Sequence, residues 1–390
     1  MKKQTNLIKI IYFIKFFSDA IFCGYLSMYF EQSFSRNTFE YGLLLGIIPF
    51  CALLGNFIWG LLSKNVNKNL LLIKIILSLE SICMISLMMT NTNFISLLIS
   101  TICFGLFNSP CFTMQDGLAS SYSKKEETKY PSIRYMGSLG YLFALVIGSF
   151  LLRLFNNNFV YIFIIAAFLN VVCLILWFFI KPFEDVKQEE KEKIKFIEVL
   201  KNKTFIFYFI TYLLIIGSNS VADSYLFSRF KEVGIEESTY SLIFASEILL
   251  EIIVMFLLNK FVKEKKQSLI LKISVIVIFL RSFLFGFNLP LPLLICIAPL
   301  RGVGWGGFLY VHLMIVRKIV TNKLITKAIS ILTIFLSLFN GIMTIVAPLI
   351  YNAISLPGFY LLLSSIIFIG IMILLFIKFN DQKGDCDDVN

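Results

Sequence analysis

Residues 133–152 read IRYMGSLGYLFALVIGSFLL, an arginine and several small residues followed by a continuous apolar run. As a helix this segment is long enough to cross most of a hydrocarbon core about 30 Å thick. Arg134, Ser138 and Tyr141 fall on one helical face. A stripe of small residues on the neighbouring face predicts close packing against another helix; it consists of Gly137, Gly140, Ala144 and Gly148.

The rest of the chain is also rich in apolar residues. Of its 390 residues, 58% are hydrophobic and 15% charged, and its mean hydropathy is +0.84, which indicates a membrane protein. Twelve apolar stretches, from 7–30 to 357–378, are each long enough to span a bilayer. We predict an all-α membrane protein with twelve transmembrane helices in two six-helix bundles. The expected parts are bundles at 1–180 and 204–379, a cytoplasmic linker at 181–203 and a cytoplasmic tail at 380–390.

The positions of the basic residues predict the orientation. With both termini in the cytoplasm, most of the 35 lysines and arginines fall in inner loops and tails, as the positive-inside rule requires. The net charge of +11 therefore reflects topology and gives no support to nucleic-acid binding. Only four basic residues fall in outer loops, namely Arg36, Arg153, Arg229 and Lys231.

Motifs for cofactors and metals are lacking in the sequence. The G-x-G-x-x-G at residues 302–307 lies inside an apolar span with no preceding strand, so we reject a dinucleotide site. No G-x-x-x-x-G-K occurs, so energy for transport would come from a gradient. The eight cysteines show no C-x-x-C or metal-ligand spacing. We expect neither a cofactor nor a metal.

Ionisable residues within the spans are the strongest functional candidates, because each costs about 2.5–3.5 kcal/mol at the centre of a bilayer. Asp116 precedes Arg134 by 18 residues across a short turn and is its expected counter-charge. Glu247 and Glu251 share a helical face, so we expect one of them to hold a proton. Arg281 is a candidate partner whose approach would expel that proton.

A polar and aromatic stripe is predicted on the tenth span. It contains Arg301, Trp305, Phe308 and His312 at helical spacing. Purely structural alternatives stay open for several residues: Arg134 as a membrane-surface anchor, His312 as a packed side chain, and Glu251 with Arg281 as a structural ion pair. Lysines near the predicted cytoplasmic ends of the spans, Lys15 among them, are expected to extend their amino groups to the membrane surface (snorkelling). For Asp19 and Glu80, structural ion pairs with such lysines stay open.

IRYMGSLGY at 133–141 resembles a segment of the major facilitator superfamily, specifically its lactose-permease-like oligosaccharide:proton symporters and phenylpropionate-permease-like group. The resemblance extends over nearly the whole chain. It implies that Arg134, Asp116 and Tyr141 contact the solute. Here tyrosine and aspartate stand where the lactose permease has tryptophan and glutamate.

In the second half, SEILLEIIVMFLLNKF at 246–261 and FLRSFLFG at 279–286 are similar to spans that supply a coupling glutamate and a coupling arginine. This implies roles for Arg281 and for either Glu247 or Glu251. Asp223 corresponds to a charge-pair aspartate, although span 11 has no lysine to meet it. Arg301 replaces a histidine of the relatives.

We therefore predict a plasma-membrane secondary active transporter that works by alternating access. It would carry a small solute such as a sugar or oligosaccharide, a nucleoside or an aromatic acid, together with a proton, as a monomer. Substrate binding is assigned to Arg134, Asp116, Tyr141, Ser138 and Trp305. Proton coupling is assigned to Glu251, Glu247, Arg281, Asp223, Arg301 and His312. Alternatives are a uniporter or an exporter and, from a different class, a membrane-embedded transferase.

Overall fold

The computed structural model describes residues 3–63, 65–90, 93–128, 130–182, 197–261, 266–321 and 324–377, and within these ranges the only regular secondary structure is helical. Most of the predicted linker and the entire predicted tail lie outside the described residues. Mean hydropathy and helical periodicity therefore identified the fold class correctly.

The first half of the chain forms six long helices. Asparagine side chains cap the N-termini of three of them, Asn65 before α3, Asn93 before α4 and Asn158 before α6, by accepting hydrogen bonds from backbone N–H groups of the first turn. The helices are α1 Lys3–Ser33, α2 Phe39–Leu62, α3 Val66–Met89, α4 Phe94–Lys125, α5 Tyr130–Leu154 and α6 Phe159–Phe178.

The second half contains more interrupted helices. A π-helical turn, Leu213–Gly217, joins α8 to α9, and Pro299 separates α13 from α14. The elements are α7 Ile197–Leu200, α8 Lys203–Tyr212, α9 Ser218–Ser224, α10 Leu226–Glu232, α11 Glu237–Phe261, α12 Gln267–Phe285, α13 Leu291–Ile297, α14 Leu300–Ile319, α15 Ile325–Ile354 and α16 Leu356–Phe376.

Eleven helical segments of the described chain, from Phe39–Leu62 to Leu356–Phe376, are long and apolar enough to cross a membrane. The first predicted span corresponds to α1, which has 31 residues and carries Lys15 and Asp19 near its middle. Each of the twelve predicted spans therefore coincides with one helix or with consecutive helical segments, such as α13 with α14 or α8 to α10. The cytoplasmic location of both termini stays a prediction.

The described chain divides into two compact units. The first unit contains residues 3–182, 230–245 and 344–349; the second contains 197–229, 246–343 and 350–377. Each unit has its own apolar core, exemplified by Trp177 in the first and Ile315 in the second, both fully buried.

Glycines of α5 allow α1 to approach closely in the first unit. A Cβ atom on Gly140 would lie 2.3 Å from the carbonyl oxygen of Phe13, and one on Gly148 would lie 2.3 Å from the hydroxyl of Tyr25. Neither distance is possible for a side-chain carbon. The prediction that the small-residue stripe packs against another helix is confirmed, and that helix is α1.

Candidate functional site

In the first unit, an accessible ion pair lies between α4 and the first turn of α5. Arg134 Nη1 is 4.0 Å from Asp116 Oδ1, and the two side chains keep 47% and 39% of their surface exposed. The Tyr12 hydroxyl donates a hydrogen bond of 2.7 Å to Asp116 Oδ1. The guanidinium carbon of Arg134 lies 4.6 Å from the centre of the Phe16 ring, a distance at which cation–π attraction operates.

The other predicted binding residues of α5 lie farther along the helix. Ser138 and Tyr141 are half-buried, about 6 and about 10 Å from Arg134 along the axis at 1.5 Å per residue. The Tyr141 ring packs edge-on against Phe244 of the same unit, with ring centres 6.3 Å apart. The structure thus places Asp116 beside Arg134, whereas the roles of Ser138 and Tyr141 stay predictions.

Sequence reasoning missed two members of this site, Tyr12 and Phe16. They are four residues apart on α1 and their rings stack with centres 5.8 Å apart. The available signal was the glycine stripe, because a helix that packs closely on α5 brings its own side chains to the face beside Arg134.

In the second unit, five ionisable residues form one cluster, which we call the second-unit cluster. Asp223 is at its centre: Arg281 Nη1 lies 2.6 Å from Asp223 Oδ1, and Arg301 Nε lies 2.8 Å from Asp223 Oδ2. Glu247 is 3.4 Å from Arg281 Nη2 and 3.6 Å from Arg301 Nε. Glu251 Oε2 is 3.8 Å from Arg301 Nη1.

The pairing differs from the sequence-based expectation in two respects. The sequence left open whether Arg281 meets Glu247 or Glu251; in the structure Arg281 contacts Glu247 and Asp223, so the alternative of an ion pair between Arg281 and Glu251 is wrong, and the arginine beside Glu251 is Arg301. Asp223, for which no lysine was found in span 11, is met by two arginines. Helical spacing fixes which residues share a face but not which neighbouring helix that face meets.

Burial and charge distinguish the members of the cluster. The side chains of Glu247 and Arg281 are 0% and 2% exposed, whereas Glu251 keeps 18%. Glu247 Oε2 is buried and accepts no hydrogen bond from any described residue. Two guanidinium groups face three carboxyl groups, so full ionisation would leave one uncompensated buried negative charge, which is costly in a low-dielectric environment.

A glycine of α14 makes this cluster possible. A Cβ atom on Gly302 would lie 2.2 Å from the carbonyl oxygen of Glu247 and 2.6 Å from the backbone nitrogen of Glu251. The backbones of α11 and α14 therefore touch at this point. The adjacent residue, Arg301, is carried to the carboxyl groups of α11 by that contact.

His312 and Trp305 belong to an aromatic group formed by side chains of α8 and α14. The Tyr208 hydroxyl and His312 Nδ1 are 2.8 Å apart and share a hydrogen bond, and the His312 ring stacks on Tyr212 at 5.2 Å. Trp305 stacks on Phe308 at 5.7 Å. His312 lies about 16 Å along the helix from Arg301, and the assigned roles of Trp305 and His312 stay predictions.

Lys15 does not snorkel. It is fully buried and its Nζ donates hydrogen bonds of 2.8 and 2.7 Å to the two carboxylate oxygens of Glu80, which is also fully buried. The expectation of snorkelling is wrong because a carboxylate on α3 lies at the same depth in the unit. The structural pairing of Glu80 with a lysine is confirmed.

The chain matches the model of the MFS_1 like family over residues 6–362. It belongs to this family. The resemblance to the major facilitator superfamily is confirmed, and the coarse function follows: this MFS_1-like protein is a multi-pass membrane transporter for a small molecule.

Two relatives of this MFS_1-like transporter share its length. One is an uncharacterized transporter, YwbF, of Bacillus subtilis (strain 168), 23% identical over 369 residues that cover 93% of this chain and 90% of the relative. Another is a probable 3-phenylpropionic acid transporter of Escherichia coli (strain K12), 25% identical over 361 residues, 90% of this chain and 92% of the relative.

Solved structures of transporters share its fold. The nucleoside transporter NupG superimposes with a TM-score of 0.78 at 15% identity, covering 95% of this chain and 98% of NupG. The xylose transporter XylE from E. coli, in an inward open conformation, gives a TM-score of 0.71 at 11% identity, covering 98% of this chain and 97% of XylE.

Proposed function

We propose that this MFS_1-like transporter is a monomeric proton-coupled symporter of the plasma membrane that imports a small hydroxylated or aromatic solute by alternating access. The observation that carries the proposal is the half-exposed ion pair of Arg134 and Asp116. Charged side chains in a membrane span are costly, and these two keep polar surface available to a ligand.

The chemistry of this pair favours a solute with hydroxyl or carboxylate groups beside a flat apolar surface. A guanidinium group offers five N–H donors in a planar fork, and the carboxylate of Asp116 accepts from hydroxyl groups. The rings of Tyr12 and Phe16 add aromatic surface beside these charges. Nucleosides, sugars and 3-phenylpropionic acid, the solutes named for proteins similar to this one, all fit that description.

The second-unit cluster supports proton coupling. Asp223 has short contacts with both arginines and is assigned as ionised, so the excess proton is shared by Glu247 and Glu251. Of these two glutamates, Glu251 is the more exposed, and its one ion-pair contact among the described residues is with Arg301, at 3.8 Å. Protonation of Glu251 removes its attraction for Arg301, and a closer approach of Arg301 favours release of the proton.

The solute can be identified with the purified protein. Nucleosides, sugars and 3-phenylpropionate are tested for an increase in thermal stability, because a ligand at about 100 times its Kd stabilises the folded state by about 2.7 kcal/mol. Arg134→Lys keeps the charge but loses the fork, so we expect the ligand's Kd to rise about tenfold for the loss of one hydrogen bond. Arg317→Lys, an exposed arginine of α14, is the matched control.

Two results would overturn these assignments. An unchanged Kd in the Arg134→Lys variant would remove Arg134 from the binding site. Uptake into proteoliposomes that a protonophore leaves unaffected would remove proton coupling, and the uniporter would then be the better description.

A further inference from the structure

A second cluster, of ionisable residues and the asparagines that bind them, is buried in the first unit, and the proposed proton coupling gives it no role. Its members lie on four helices: Lys15 and Asp19 on α1, Glu80 on α3, Asn108 on α4 and Asn170 on α6. We call it the first-unit cluster.

Glu80 has the hydrogen bonds of an ionised carboxylate. Lys15 Nζ donates to both of its oxygens, Asn108 Nδ2 donates to Oε1 at 2.8 Å, and Asn170 Nδ2 donates to Oε2 at 3.3 Å. These three donor groups make four hydrogen bonds to the two oxygens, and those bonds stabilise the negative charge. Lys15 and Glu80 are therefore a neutral pair, and the charge of Lys15 is fully compensated.

Asp19 is the excess carboxyl group of this cluster. Its Oδ1 accepts hydrogen bonds from Asn108 Nδ2 at 2.5 Å and from Cys23 Sγ at 3.5 Å, and no lysine or arginine nitrogen of the described chain lies within 4.0 Å of it. The titratable groups that face it are Lys15 and Cys23 on its own helix and those of α3 and α4, Glu80 and Cys111. One cation thus faces two carboxyl groups.

Two further features of the first-unit cluster are the exposure of Asp19 and an unsatisfied amide oxygen on Asn170. Asp19 is half-buried whereas Lys15 and Glu80 are fully buried, so Asp19 is the member that can exchange with water. Asn170 is fully buried, and its Oδ1 has no hydrogen-bond partner among the described residues, although its Nδ2 donates into the cluster. The cluster is an acceptor-rich environment with one positive charge too few.

We propose that Asp19 is a second proton-exchanging site, so that each unit binds one proton and the transporter moves two protons with each solute. The inference rests on the proposed proton symport. Both units show the same excess, one carboxyl group more than the number of cations in their buried clusters. A proton on Asp19 makes the first-unit cluster neutral while the Lys15–Glu80 pair stays intact.

Infrared difference spectroscopy tests the proton on Asp19 without a solute. Purified protein in lipid is moved from about pH 6, where ordinary surface carboxyl groups are already ionised, to alkaline buffer, and the loss of the carbonyl stretch of protonated carboxyl groups is recorded. Asp19→Asn, which mimics the protonated form, should lose about half of that signal if each unit contributes one proton. An Asp19→Asn signal equal to that of the wild type would overturn the proposal.

Asp19→Glu provides a second measurement if Asp19→Asn fails to fold. This variant keeps the carboxyl group, so the band should keep its amplitude but move in frequency. A band that does not move would again exclude Asp19.

Transport stoichiometry separates this inference from the proposed function. The solute found by thermal stability is accumulated in proteoliposomes under a set pH gradient, and the steady-state ratio gives the number of protons per solute. We expect two for the wild type and one for Asp19→Asn. One proton for both would overturn the inference and leave symport intact. No proton dependence in either would refute symport, while the infrared result would still decide Asp19.

Discussion

Gly302→Ala is the most direct test of how the second-unit cluster is built. The new Cβ atom would meet the Glu247 carbonyl oxygen at 2.2 Å, whereas ordinary contacts begin at 3.4 Å. To relieve this clash, α14 would have to move away from α11 by about 1.2 Å, the difference between these two distances. The contact of Arg301 with Glu247 would then lengthen from 3.6 to about 4.8 Å, and that with Glu251 from 3.8 to about 5.0 Å.

The energetic consequence follows from Coulomb's law. At an alkaline pH, where Glu247 and Glu251 are both ionised, and at an effective dielectric constant of about 20, the two attractions together weaken by about 2 kcal/mol. Alanine is favoured over glycine in a helix by about 0.8–1.0 kcal/mol, which offsets part of that loss. We therefore expect Gly302→Ala to lower the free energy of unfolding by about 1 kcal/mol, with a weaker response of uptake to an imposed pH gradient.

Gly306→Ala and Gly60→Ala serve as comparison variants for the size of the effect on stability. A Cβ atom on Gly306 would meet the Glu251 carbonyl oxygen at 3.0 Å, and one on Gly60 would meet nothing within 4 Å. Apparent melting temperatures of the purified variants should thus increase in the order Gly302→Ala, Gly306→Ala, Gly60→Ala. If Gly302→Ala melts as high as Gly60→Ala and keeps the wild-type response to pH, the helix contact does not position Arg301.

Three other substitutions have defined outcomes. Lys15→Met leaves Glu80 buried without its cation and should lower the free energy of unfolding by about 3–5 kcal/mol. The double variant Lys15→Met/Glu80→Leu should recover most of that stability. If the two substitutions instead lower stability additively, the ion pair is contradicted. His312→Phe removes the hydrogen bond between His312 and the Tyr208 hydroxyl and should cost about 0.5–1.5 kcal/mol in unfolding experiments. A changed pH profile of uptake would contradict the separation of His312 from the carboxyl groups. Asp223→Asn leaves two arginines facing two carboxyl groups, so the cluster no longer has an excess carboxyl group to hold a proton. Uptake should therefore respond less to a pH gradient, and a wild-type response would contradict the role of that excess carboxyl group.

Local patterns in the sequence predicted the helices and one side of the candidate site. Hydropathy accumulates along each segment, so the spans could be placed without any knowledge of their neighbours. The pairing of Arg134 with Asp116 was accessible for a similar reason, because a short turn connects the ends of their two helices. Tyr12 and Phe16 were missed because they come from α1, more than 100 residues away in sequence from the arginine they accompany.

Partners of the ionisable residues were harder to predict. Glu247 and Glu251 were correctly placed on one face, yet Arg301 rather than Arg281 lies beside Glu251. Successive residues of a helix point about 100° apart, so a small rotation of α12 or α14 would exchange the partners. Lys15 was assigned to the membrane surface because it lies near a predicted inner end, and the sequence alone did not show that Glu80 of α3 lies at the same depth.

The sequence by itself determined that this protein is a bundle of membrane-spanning helices with charged groups inside it, since hydrophobicity and helical periodicity are properties of each segment alone. The tertiary structure alone decided which charges meet, which carboxyl groups are left in excess, and which side chains stay open to a ligand. Those outcomes depend on the rotation and depth of one helix against another, and glycines such as Gly140 and Gly302 permit the close contacts that set both.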